Sequence, residues 1–158
     1  MIRAKLCRRA ARCAILLAAA VIPAAARAGD CEGAPSTARL NIVVEGVRSN
    51  QGWMTASLYP NDRSQYLVAN GALKVWRVPA RAPETRMCIW LSSPGTYAVA
   101  VYHDANSNLW LDRNLFGPTE GYGFSNNPRI AFAPPPLAAV RFTAAAGNTV
   151  VHIRLRYP

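Results

Sequence analysis

Apolar residues in this chain recur at every second position, in runs that turn residues cut short before any reaches helical length. Val151, Ile153 and Leu155 alternate with His152, Arg154 and Arg156. Met54, Ala56 and Leu58 alternate with Thr55 and Ser57, and Tyr97, Val99 and Val101 with Ala98 and Ala100. A strand points successive side chains to opposite faces, so each run buries one face and wets or half-buries the other. No stretch carries a 3.6-residue period long enough for an α/β fold.

Further runs fit the same pattern. Leu40–Glu45 is rich in strand formers and ends at Arg48-Ser49-Asn50-Gln51-Gly52. Trp53–Tyr59 stops at Pro60-Asn61-Asp62, and Lys74–Val78 closes on Pro79. Thr85–Leu91 is apolar enough on both faces to predict a place near the centre of a sheet. Ser92-Ser93-Pro94-Gly95 turns the chain into Thr96–His103. Ala138–Phe142 and Thr149–Arg156 supply two more strands, joined through Ala146-Gly147-Asn148, while Ser64–Val68 has room for one helical turn. About seven strands with hairpin-length turns predict an all-β fold. Two antiparallel sheets packed as an immunoglobulin-like or transthyretin-like sandwich bury these faces most economically, with a closed barrel as the alternative.

The first 28 residues read as a cleaved signal peptide outside the fold. Arg3, Lys5, Arg8, Arg9 and Arg12 form a basic region, Ala14–Ile22 a short apolar core, and Ala26-Arg27-Ala28 a small-residue cleavage site. The apolar run falls short of the roughly 20 residues that span a bilayer, so the mature chain is expected without a membrane span. Residues 29–158 then form a single domain, periplasmic or secreted. The leader takes six of the 18 basic residues with it, leaving 12 basic against 8 acidic groups. The remaining arginines are scattered singly, which removes the basic patch a nucleic-acid role would need. Of four cysteines, Cys31 and Cys88 stay in the mature chain, and an oxidising compartment predicts one disulfide between them.

Between the strands ending at His103 and beginning near Ala138 lies a long stretch, 102–127, rich in Gly, Asn and aromatics. Long ordered loops in compact domains carry function more often than their length alone would suggest. Asp104, Asn106, Asn108 and Asp112 occupy positions 1, 3, 5 and 9 of this loop, with the Trp110 carbonyl at position 7. That spacing can wrap oxygens around one Ca2+ ion. The competing reading is that these side chains form Asx turns with their own backbone and need no cofactor.

Two strings here resemble known proteins. Leu91-Ser92-Ser93-Pro94-Gly95-Thr96-Tyr97 is similar to the turn-and-strand of prealbumin-like and surface-protein B-type sandwiches. VYHDANSNLWLDRNLFGPTEGYGFSNN, residues 101–127, resembles the signature F-H-D-x-N-x-N-G-x-L-D-x-N-x-x-G-x-P-x-E-G-Y-G-F-S-N-N of the bacterial domain-of-unknown-function family 2141. The likeness runs from about Leu40 to Leu155. It implies an exported β-sandwich and brings no activity with it. The chain departs from that signature at Leu109, where the family has Gly, and at Gly117-Pro118, where the Gly-x-Pro step is shortened. A calcium loop favours Gly at its sixth position and Glu at its twelfth, and here those are Leu109 and Leu115.

Catalysis finds little support. His103 and Asp104 are adjacent on a strand and point to opposite faces. Ser125 has no identifiable base, and nothing in the spacing sets Asp104, Asp112 and Glu120 as a glycosidase pair. The chain is therefore expected not to be an enzyme. Trp110, Phe116, Tyr122 and Phe124 form either a mini-core pinning the loop, the favoured reading, or with Glu120 and Asn126 an exposed platform for a partner. The reading is an exported, monomeric binding or accessory module of the envelope, calcium-stabilised if the 104–112 loop takes the ion. Its partner would be an envelope protein or a glycan. A carbohydrate-active protein and a purely structural domain with a packed loop are the alternatives.

Overall fold

The computed structural model describes residues 31–130 and 133–158; the expected leader over 1–28 lies outside them. The chain folds into two packed sheets, as the alternation requires. One sheet carries β10 (Gly147–Arg154), β1 (Ala38–Glu45) and β4 (Glu84–Leu91) in that order. The other runs β3 (Lys74–Pro79), β2 (Trp53–Pro60), β5 (Gly95–Asp104) and β8 (Gly121–Phe124), with β9 (Phe142–Ala144) pairing the start of β5. A two-residue hairpin, β6 (Arg113–Asn114) with β7 (Gly117–Pro118), stands within the long loop.

The core lies between the sheets. Leu40, Ile42 and Val44 of β1 face Met54, Ala56 and Leu58 of β2, with Val99 and Val101 of β5 and Ile153 of β10 completing the layer. A second, smaller cluster sits on the outer face of the larger sheet. There Tyr59, Tyr66, Ala98, Phe124 and Val140 are buried together.

The sandwich differs from expectation in four places. The described strands number ten rather than seven, because the long loop contributes the β6–β7 hairpin and β8. The sheets are not wholly antiparallel, since β10 joins β1 in parallel, Ala38 opposite Gly147 through Glu45 opposite Arg154. That pairing needs a crossover from the other sheet, which β9 and the turn after it supply. Thr85–Leu91 lies at the edge of its sheet rather than near the centre. Its apolar character is explained by the 31–36 segment, which covers the edge: Glu32 N–H donates to Cys88 O at 3.0 Å, and Trp90 N–H to Glu32 O at 2.9 Å. Finally, Ala138–Phe142 is not a strand; Leu137–Val140 makes one helical turn, α1, closed by Arg141 N–H on Leu137 O at 3.0 Å. Alanine favours that turn, and Val140 anchors it in the second cluster.

The disulfide joins Cys31 to Cys88 across a Cα separation of 4.6 Å. It fastens the covering segment to β4, and Ser36 Oγ adds a bond to Leu91 O. A strand edge closed in this way cannot pair with another chain.

Candidate functional site

Strand alternation sets the site. β5 turns Val99, Val101 and His103 into the core and Ala100, Tyr102 and Asp104 to the outer face. His103 is 2% exposed and donates from Nε2 to Gln51 O at 2.8 Å. That leaves Nδ1 to accept the Tyr157 hydroxyl at 2.8 Å, whose oxygen accepts Arg48 N–H at 3.2 Å. Every polar atom of the imidazole is engaged, and Asp104 lies on the other side of the strand. The two side chains do not meet.

Asp104 is fully buried at the root of the loop. Its Oδ1 accepts Asn108 N–H at 3.0 Å and its Oδ2 accepts Leu109 N–H at 2.9 Å. Asn106 Oδ1 accepts Asn108 N–H at 3.1 Å, and Asn108 Oδ1 accepts Trp110 N–H at 2.9 Å. The side-chain amides of Asn106 and Asn108 donate to the two oxygens of Asp112 at 2.7 and 2.8 Å. Glu120 ties the two ends of the loop together, accepting Ala105 N–H at 3.0 Å and Asp112 N–H at 3.1 Å. The Tyr102 hydroxyl donates to Leu109 O at 3.0 Å.

This is a network of Asx turns. A hard cation wants oxygens converging on it, whereas here two amide N–H groups point at Asp112 and every Asp104 and Asn oxygen faces an N–H. As arranged, the donor set does not fit calcium. Among the described residues no group of three or more His, Cys, Asp or Glu is placed to hold a metal. Trp110 enters through its N–H. Leu109 has φ 71°, the left-handed conformation for which glycine would be favoured, and Asp104 holds it there through the Leu109 N–H. Gly52 backs the loop's root: a Cβ there would come within 1.9 Å of Asp104 O.

The loop aromatics do not act as one unit. Phe124 is buried in the second cluster, because β8 sets it opposite Ala100 and α1 covers it with Val140. It is therefore core rather than partner surface. Tyr122 is half-buried and stacks edge-on to Phe124 at 6.2 Å. Trp110 is 74% exposed and Phe116 97%, so the expected mini-core does not include them. Glu120 is an internal clamp. Asn126 is a bracket, its Nδ2 donating to Arg141 O at 2.8 Å.

Trp110, Phe116 and Tyr122 line a groove of about 750 Å³ on the outer face of the larger sheet. Ser57, Val75, Ala100 and Tyr102 lie along the strands beneath, and Tyr59, Leu67 and Val68 line it from β2 and the 61–73 segment. Sequence reasoning missed Leu67, Val68 and Val75, which lie far from the loop in the chain. Leu67 and Val68 lie outside any clean strand pattern, while Val75 sits on the outward face of the Lys74–Val78 run, and all three are exposed. A smaller pocket of about 230 Å³ between β8 and β10 is lined by Asn127, Ile130, Arg154 and Arg156.

The chain belongs to the family described as uncharacterized protein conserved in bacteria (DUF2141), whose profile matches residues 42–152. No curated protein and no solved structure matches it.

Proposed function

We propose that this protein is an exported, non-enzymatic binding module of the bacterial envelope, and that its ligand lies in the groove beneath the 105–120 loop. The observation that carries the reading is the groove itself: walls more apolar than polar, with tyrosine hydroxyls and Arg113 among them, beside a loop whose internal bonds fix its shape. Ligand sites are concave, mostly apolar and largely pre-formed, and this groove has all three properties. The absence of chemistry is supported by the state of the reactive residues. His103 is locked between Tyr157 and Gln51; Ser125 accepts Val99 N–H and donates to Val140 O; the loop carboxylates are spent on N–H groups. Export rests on the basic-apolar-small pattern of the first 28 residues and on the disulfide.

The occupant that suits these walls best is an apolar segment of an envelope protein. A glycan is the second reading, favoured by Trp110 and Tyr122, which offer flat faces to a sugar ring. Titration with an anilinonaphthalene dye tests the groove as an apolar site, and titration with peptidoglycan and lipopolysaccharide-core fragments tests the second reading. Saturable dye binding that Val75→Asp abolishes without lowering the melting temperature is expected. No saturable binding of either probe overturns the proposal.

A further inference from the structure

We propose that the pocket between β8 and β10 binds a small organic carboxylate, gripped by Arg154 and Arg156. Residues two apart in an extended segment point to the same side, so these two arginines rise from roots roughly 6–7 Å apart and turn the same way. The pocket they border holds about 230 Å³, room for one compact group rather than a length of chain. Phe124, Pro128 and Ile130 give it apolar walls, and Asn127 with the two arginines gives it polar ones. A guanidinium presents a planar fork that takes a carboxylate by two parallel N–H bonds. The apolar walls favour an anion with a carbon body over a bare one.

The two arginines are largely uncommitted. Arg156 Nη1 reaches Ile130 O at 3.5 Å, the far limit of a hydrogen bond, and Arg154 Nη2 lies 3.8 Å from Glu45 Oε2. Glu45 keeps its charge, which it shares between Arg154 and His152 Nδ1 at 2.9 Å. Beside it in the register, Glu84 is matched by Arg86 at 2.8 Å. Among the described residues no acidic group lines the pocket, and Arg129 is exposed between two residues that do. With His152 neutral, Arg129, Arg154 and Arg156 against Glu45 leave this edge at +2. Like charges held side by side repel, and an anion between them turns that repulsion into attraction. The site is also held in shape. Asn127 accepts Arg154 N–H at 2.7 Å and donates to His152 O at 3.0 Å, and Arg156 exchanges backbone bonds with Tyr122. Binding therefore orders two side chains and little else.

Phe124 and Ile130 also border the groove, but the groove has neither arginine, so the two sites can be told apart. The test is titration of the protein with N-acetyl-leucine, followed by NMR at the Nε–H signals of Arg154 and Arg156 and the side-chain amide of Asn127. N-acetyl-leucinamide, its neutral counterpart, and inorganic phosphate are titrated beside it. Saturable shifts with the acid are expected, with affinity for the amide and for phosphate about tenfold weaker or less, since one lost charge-assisted contact amounts to roughly that factor. Arg156→Gln and Arg154→Gln should each weaken the acid about tenfold, while Val75→Asp, in the groove, leaves it unchanged. Both arginines are exposed and their backbone bonds do not involve the side chain, so an unchanged thermal melt shows that each variant is folded. Acetyl-Ala-Ala-Leu with a free carboxylate separates two sources of this chemistry: tighter binding than N-acetyl-leucine points to the C-terminus of a peptide, and equal binding to a free acid. The proposal is overturned if the acid does not saturate, if the amide or phosphate binds as tightly, or if both arginine variants bind the acid like the parent.

Discussion

The side chain of Asn127 accepts the backbone N–H of Arg154 at 2.7 Å, and its Nδ2 donates to His152 O at 3.0 Å. A single residue thus bonds to the open edge of β10 as a neighbouring strand would. Two residues further on, Arg156 and Tyr122 exchange backbone bonds at 2.8 and 2.9 Å. The two sheets are stitched together along this side, while the disulfide-held 31–36 segment closes β4 on the other. Asn127 has φ 49°, a conformation asparagine tolerates better than larger residues. Asn127→Ala should cost about 1–3 kcal/mol by leaving the Arg154 N–H and the His152 carbonyl without partners, readable by urea unfolding. Asn127→Asp keeps the acceptor and loses the donor, so it should fall between the two.

Glu120 is the residue on which the loop's shape depends. Its carboxylate holds Ala105 and Asp112, which are seven residues apart. Glu120→Ala should leave the sandwich folded and raise hydrogen exchange at the Ala105 and Asp112 amides by about tenfold or more, since a bond to a charged group contributes about 1.5–3 kcal/mol. Exchange unchanged at both amides would show that the loop is held by the Asx turns alone.

The disulfide closes a separation of 57 residues. On the chain-entropy account Cys88→Ser should cost about 4 kcal/mol, as an upper value. The loss should be local first: the Glu32 amide, bonded to Cys88 O, should exchange freely and the edge of β4 should become available for pairing. Reducing agent should lower the melting temperature of the parent and leave that of the variant unchanged.

How much of this was legible in the sequence follows from what each residue signals by itself. The inward faces of β2, β5 and β10 could be read, because burial on one side writes a period of two into the chain. The edge position of β4 could not, because Cys88 and Trp90 look like core residues when Cys88 is bonded to the distant Cys31 and the Trp90 ring lies under Arg39 of β1. The parallel pairing of β1 and β10 depends on a crossover that no local pattern encodes. In the loop, the Asx spacing marked the right residues but left two chemistries open; which way the Asn106 and Asn108 amides point is a matter of three-dimensional packing. Trp110 and Phe124 are both loop aromatics in sequence, and only the register of β8 against β5 separates the exposed one from the buried one.

Tyr66 gives a pH prediction. Burial raises its pKa, the nearby Tyr59 raises it further, and its hydroxyl has no hydrogen-bond partner among the described residues. Tyr59 and Tyr157 are also raised, first of all by burial. A phenol whose folded pKa lies above the unfolded value of 10.0 keeps its proton in the fold and sheds it sooner when unfolded. Stability should therefore be constant with respect to these groups below about pH 10 and fall as the pH rises above it. Tyr66→Phe should flatten that fall. At neutral pH it should also stabilise the protein by up to about 1–2 kcal/mol, because it removes a buried hydroxyl that bonds to none of the described residues. A less stable variant at neutral pH would mean that the hydroxyl has a partner such as a bound water.

Asp104 separates the two chemistries left open by its loop. In the Asx-turn arrangement its oxygens accept the N–H groups of Asn108 and Leu109 and hold Leu109 at positive φ. Asp104→Asn puts a donor where one of those acceptors stood, so two N–H groups face each other in a buried place. The cost should be about 2 kcal/mol, the size of a lost charge-assisted bond, and it should be the same with calcium or with a chelator. A cation cage behaves differently. A ligand that binds only the folded state raises stability by mass action, so millimolar calcium would raise the melting temperature of the parent and not of Asp104→Asn. Differential scanning fluorimetry of both proteins, in calcium up to about 10 mM and in chelator, reads this directly, since extracellular calcium modules saturate in about that range. We expect no calcium-dependent shift in either protein. A rise confined to the parent would mean that Asn106 and Asn108 turn their oxygens inward when the ion is present, exchanging their bonds to Asp112 for bonds to the metal.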